Sequence, residues 1–195
     1  MKTEPQLRHV VPSIRNIQGV GLLWWVIAVP SILFAVYALR YLLLGSRMYP
    51  DILAESFRAR PWGIYTHAFF GILGLTVGSF QFRRNIREKY LKWHRRLGKV
   101  YLAAALMVGL SGIYMAVYSF GGVSTHLGFG FMGGALLITT AVAYGKILAF
   151  DVATHREWMI RSFAIMFGAV TFRLWFPLLM VINANLYKRI LPWAT

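Results

Sequence analysis

The chain has 195 residues and a formal charge of +15; 58% of its residues are hydrophobic and only 14% are charged. A soluble domain carries about a quarter charged residues, and the apolar residues here come in blocks of about 20, the length that crosses a hydrocarbon core of about 30 Å. A soluble globular domain is thereby excluded. The absence of cysteine removes disulfides, thiolate nucleophiles, iron–sulfur clusters and Cys-ligated zinc. The basic residues sit in short segments between apolar blocks. They therefore read as topology signals and contacts with anionic membrane lipids, and nucleic acid is not an expected partner.

In chain order, residues 1–16 form a polar, basic tail with Lys2, Arg8, His9 and Arg15. No cleavable leader is expected, because the first apolar block is far longer than a signal h-region. The spacing predicts five membrane-spanning helices, at about 17–44, 62–82, 97–120, 125–150 and 158–186. They make one all-α membrane domain with a four-helix-bundle-like core and one peripheral helix. Pro30 falls inside the first span, where neighbouring groups can satisfy the freed carbonyl. Between the first two spans, 51–60 reads as a short interfacial helix. The segment 83–99 carries eight basic residues against one acid, Glu88. Gly121 and Gly122 form a tight turn, and 151–157 reads as a loop.

Positive charge sets the expected orientation. The N-terminal tail, 83–99 and 151–161 fall on one side, which holds the densest Lys/Arg cluster and so faces the cytoplasm. The expected topology is N-in and C-out, in a bacterial inner membrane.

Apart from His9, the histidines are His67, His94, His126 and His155, each near the start of a different span. Alternating span direction places His67 and His126 towards the outer face, and His94 and His155 towards the inner face. A b-type haem needs one imidazole on each side of its ring, from facing helices. It also needs small residues beside the ligands. The helical face at i+4, i+7 and i+11 from His67 reads Gly71, Gly74, Gly78. From His126 it reads Gly130 and Gly133; from His94, Gly98 and Tyr101; from His155, Met159, Ser162 and Met166, without glycine. Haem b, one or two per chain with the four histidines as iron ligands, is the expected cofactor. Glycine at this spacing is equally the ordinary device for close helix packing in membranes.

Arg173 lies about 18 Å beyond Arg161 along the last span, inside the hydrocarbon region. A charge there costs at least about 2.5 kcal/mol and needs a partner. All six acids fall in loops or tails, so the expected partner is backbone carbonyl, water, or an anionic ligand such as a haem propionate. Arg156 and Arg161 are further candidates for propionates. The lack of intramembrane carboxylates argues against a proton-coupled transporter. A metallohydrolase needs several ligands and a base converging on one face, which this pattern does not supply.

The strings Trp93-His94-Arg95-Arg96-Leu97-Gly98-Lys99-Val100-Tyr101 and His155-Arg156-Glu157-Trp158-Met159-Ile160-Arg161-Ser162-Phe163-Ala164, with Arg173 beyond them, resemble an uncharacterised family of predicted bacterial membrane proteins. The resemblance covers roughly residues 60–175 and implies fold and membrane placement without an activity. A looser resemblance is to the two-haem transmembrane cytochromes b. It implies an outer haem on His67 and His126 and an inner one on His94 and His155. This chain departs from them in having more charge beside the inner histidines and five clear spans.

The leading expectation is a membrane-embedded haem b electron-transfer protein, a possible transmembrane oxidoreductase, with a quinone or another redox protein as partner. The alternative is a non-enzymatic membrane protein, either an accessory subunit or a lipid- or small-molecule-binding module. The sequence sets no oligomeric state.

Overall fold

In the computed structural model, which describes residues 17–49, 51–119 and 122–190, every regular element is helical. The elements are α1 (Ile17–Leu43), a 3₁₀ turn (Gly45–Met48), α2 (Asp51–Ala59), α3 (Pro61–Gln81), α4 (Arg84–Lys89), α5 (Leu91–Val117), α6 (Val123–Leu148) and α7 (Val152–Ile190). Five of these helices, α1, α3, α5, α6 and α7, are long and apolar enough to cross a membrane. The chain is an integral membrane protein with five such spans.

The largest departures from the hydropathy reading are two helix starts. α5 begins at Leu91 and α7 at Val152, each about six residues earlier than expected. Hydropathy finds the hydrocarbon slab, whereas backbone hydrogen bonding continues into the charged interface. His94 and His155 are therefore in the first turns of formed helices, their N–H groups donating to Tyr90 O at 3.0 Å and Asp151 O at 3.0 Å. The short helix expected at 51–60 forms as α2, and the basic connection contains the one-and-a-half-turn α4. Gly122 closes the α5–α6 connection at φ +75°, a conformation open to glycine at little cost. Gly121 and the N-terminal tail with His9 lie outside the described residues.

Each span packs chiefly on the next one in sequence, and α7 returns to touch α3. The four helices α3, α5, α6 and α7 enclose one core of Leu75, Tyr101, Ala105, Val108, Leu136, Phe163, Met166 and Val170. α1 lies outside this core, packed on α3 and the edge of α7. Lipid is as apolar as leucine, so cohesion here comes from close packing and interhelical hydrogen bonds. Glycine supplies the packing. A Cβ on Gly78 would meet Phe163 at 2.5 Å and Tyr101 at 2.9 Å, and one on Gly74 would meet Met166 at 2.9 Å. At the α5–α6 contact, Gly109 and Gly133 each approach the other's carbonyl oxygen, at 3.2 and 3.0 Å from the added Cβ.

Hydrogen bonding supplies the rest. Ser162 is fully buried and joins Tyr101 (2.9 Å) on α5 to Thr140 (2.8 Å) on α6. Trp24 Nε1 donates to Ser79 O at 2.9 Å, holding α1 against α3.

Asp151 caps α7 by accepting from the Thr154 N–H at 3.1 Å. Those hydrogen bonds, with Lys146 beside them, hold the Asp151 carboxyl below the ordinary carboxylate range. Its folded pKa is depressed, so the capping contribution is present above the unfolded pKa and is lost as pH falls through the folded one. Asp151→Ala is expected to lower the melting temperature at neutral pH and to converge with the parent protein in acid. Thermal melts in detergent at several pH values check this; a deficit that persists unchanged into acid contradicts it.

Candidate functional site

The two ends of the bundle hold different polar groups. We call the end carrying 83–99 and 151–161 the basic end. There, His94 on α5 and His155 on α7 are both half-buried and lie within electrostatic reach of one another. The Nδ1 of His155 donates to Ala143 O of α6 at 2.7 Å. A carbonyl oxygen only accepts, so His155 carries a proton on Nδ1, and Nε2 is the nitrogen left to hold a ligand. His94 Nδ1 is enclosed and has no hydrogen-bond partner among the described residues. Nearby, Gln81 at the end of α3 is buried and its Nε2 also lacks a partner. Gln81 lies over Gly98, where an added Cβ would stand 3.9 Å from its Oε1. Nothing in the spacing of Gln81 marks it in the sequence as part of this cluster.

At the opposite end His67 on α3 is half-buried against α5. Its Nδ1 is 3.2 Å from Ser111 Oγ, and its Cε1 lies 3.5 Å from the Cβ position of Gly112. The Ser111 hydroxyl proton is engaged at 2.6 Å with Met107 O. The serine oxygen must therefore accept, so His67 also carries its proton on Nδ1 and leaves Nε2 free. His126 is half-buried in the first turn of α6, its N–H bonded to Gly122 O at 3.2 Å.

The glycines beside the histidines divide into two sets. Cβ positions on Gly71 and Gly130, and on Gly128 and Gly134, meet nothing within 4 Å. Gly74, Gly78 and Gly133 are instead covered by neighbouring helices. The predicted glycine faces thus begin open beside the histidine and become packing surface one to two turns on.

Arg173 is within electrostatic reach of His67. Its Nη1 donates to Ala169 O at 3.1 Å, and its guanidinium lies over the Phe34 ring at 4.7 Å. The helix register explains the level: α3 and α7 run antiparallel, Met166 covers Gly74, and seven residues on along α7 and seven back along α3 Arg173 meets the level of His67. Arg156 and Arg161 are exposed at the basic end, Arg161 pairing with Glu157 at 3.8 Å and lying 4.6 Å over the Trp158 ring. Among the described residues, no three histidine or acidic side chains converge as a metal-binding group.

A family model whose description is "Predicted membrane protein (DUF2306)" matches residues 64–194, about two-thirds of the chain. The chain belongs to the DUF2306 family. No curated protein and no solved structure matches it. The DUF2306 match starts at α3 and takes in the whole four-helix core, including His67, His94, His126, His155 and Arg173. It leaves all of α1 and α2 outside, in keeping with α1 as the helix peripheral to the core.

Proposed function

We propose that this protein is a membrane-embedded haem b electron-transfer protein, with His94 and His155 as axial ligands at the basic end and His67 and His126 at the other. The observation that carries the reading is that the Nδ1 atoms of His67 and His155 are each engaged by a group on a neighbouring helix, Ser111 Oγ and Ala143 O. Each contact orients the ring and leaves Nε2 for iron. Two features fit the group's other needs. The orphaned Nδ1 of His94 and Nε2 of Gln81 sit where an additional polar partner is due. Gly71 and Gly130 leave open surface beside His67 and His126. A pair of imidazoles is too few ligands for a bare metal ion, but a porphyrin supplies the remaining four positions itself.

When bound, haem would supply one-electron redox chemistry. The chain's own contribution is to orient the imidazoles, to keep water out, and to separate two levels by about 25 Å along α5, from His94 to Ser111. The space between them is filled by the packed core with Tyr101, Phe163 and Met166. A quinone in the membrane or another redox protein is the partner this chemistry calls for. The basic end, read as cytoplasmic from its Lys/Arg density, would face the electron donor.

One observation favours the alternative of a non-redox accessory or lipid-binding protein: Gly74 and Gly78 serve packing against Met166 and Phe163. A reduced-minus-oxidised visible spectrum of protein purified after expression with ample haem separates the two. A b-type difference band is expected. Its complete absence at full haem supply leaves the non-redox reading standing.

A further inference from the structure

Arg40, in the last turn of α1, is part of a polar cluster with Arg173. Arg40 Nη2 donates to the Tyr41 hydroxyl at 3.1 Å and to that of Tyr37. Its guanidinium lies 3.8 Å over the Tyr37 ring. Its Nε is enclosed and has no acceptor among the described residues. Arg173, on the adjoining flank of α7, is within electrostatic reach of Arg40, Tyr37 and Tyr41. The Arg173 guanidinium lies over Phe34 of α1, whose ring is 5.9 Å from the Tyr37 ring that carries Arg40, so the two like charges are brought to the same stretch of α1. The ion pairs among the described residues, Arg84–Glu88, Lys146–Asp151 and Arg161–Glu157, all lie at the basic end and leave these two arginines unpaired by carboxylate.

Two adjacent guanidiniums away from bulk water repel unless an anion lies between them, and an unsatisfied guanidinium N–H is costly in hydrocarbon. Guanidinium forks suit the oxygens of phosphate and carboxylate. We infer that Arg40 and Arg173, with the Tyr37 and Tyr41 hydroxyls, form an intramembrane oxyanion site on the α1–α7 flank, taking the phosphate or carboxylate head of an amphiphile. Arg173 is exposed along this flank, so an amphiphile reaches the site sideways from the lipid phase. The same chemistry has two sources: a phospholipid phosphate, or the propionate of a haem held by His67. Only the second source rests on the function proposed above.

The test uses the full chain, delipidated in detergent, with native mass spectrometry of added phosphatidic acid against diacylglycerol of the same acyl chains. Protein made with and without haem supply is compared, alongside Arg40→Gln, Arg173→Gln and the charge-keeping Arg40→Lys and Arg173→Lys. Charge-assisted hydrogen bonds to arginine imply that each glutamine variant weakens phosphatidic acid binding about ten-fold while diacylglycerol is unaffected. The lysine variants should recover part of the loss, which separates charge from folding. Selective phosphatidic acid binding by haem-free protein assigns the lipid source and stands even if the haem reading fails. Selectivity absent in both preparations, with haem retention falling in the glutamine variants, assigns the propionate. Equal binding of the two lipids, with haem content unchanged by either glutamine substitution, overturns the site.

Discussion

His155→Ala is expected to remove about half of the reduced-minus-oxidised haem band and one of two steps in a redox titration, because the basic-end pair has lost a ligand. His67→Ala should remove the other half and the other step. The expectation follows from the placement of the two residues at opposite ends of the helix bundle, so neither variant should disturb the other level. Changing the acceptor tests the argument further. Ser111→Ala deletes the group that holds the His67 proton on Nδ1. Loss of such an outer-shell partner costs about 10–100-fold in metal affinity. The band of the His67 level should then titrate away at low haem supply while that of His155 persists. Equal loss at both levels, or none, would sink the assignment of ligands to ends.

The second large effect is on stability. Gly109→Ala places a methyl 2.5 Å from Leu137 and 3.2 Å from the Gly133 carbonyl; Gly133→Ala places one 2.8 Å from Ile113 and 3.0 Å from the Gly109 carbonyl. A backbone oxygen cannot rotate away as a side chain does, so α5 and α6 must separate. Overpacking of this kind costs about 1–3 kcal/mol per site. Because both substitutions push the same helix pair apart, the double variant should fall short of the sum. Gly71→Ala, Gly128→Ala, Gly130→Ala and Gly134→Ala meet open space and should leave stability unchanged or raise it by up to about 1 kcal/mol, since alanine is the better helix former. Unfolding of haem-free protein in detergent ranks the six. A ranking in which Gly71 or Gly130 is as sensitive as Gly133 would show that these faces are packed by a partner, either lipid or a second copy.

Much of the fold was legible because membranes impose a length. Blocks of about 20 apolar residues need no tertiary contact to be read as spans, and the structure has five helices that satisfy that requirement. The early starts of α5 and α7 were not legible, because Leu91–Gly98 and Val152–Glu157 are polar helices outside the slab that hydropathy measures. Glycine spacing was legible as a pattern and ambiguous as a purpose. Gly71 and Gly74 stand on one predicted face, yet one meets nothing and the other meets Met166. Only the position of α7 separates them.

The sequence by itself determined the solvent of this protein, the number of its spans, and the two ends at which its histidines lie. These follow from hydropathy and from a helix rise of 1.5 Å per residue, both local properties. Tertiary structure alone decided which nitrogens of His67 and His155 meet a hydrogen-bonding partner, since Ser111 and Ala143 come from other helices. It also decided that Arg40 and Arg173, 133 positions apart in the chain, share one flank. Hydrogen bonds and charge–charge contacts act through space, and a periodic pattern within one helix carries no record of what stands opposite.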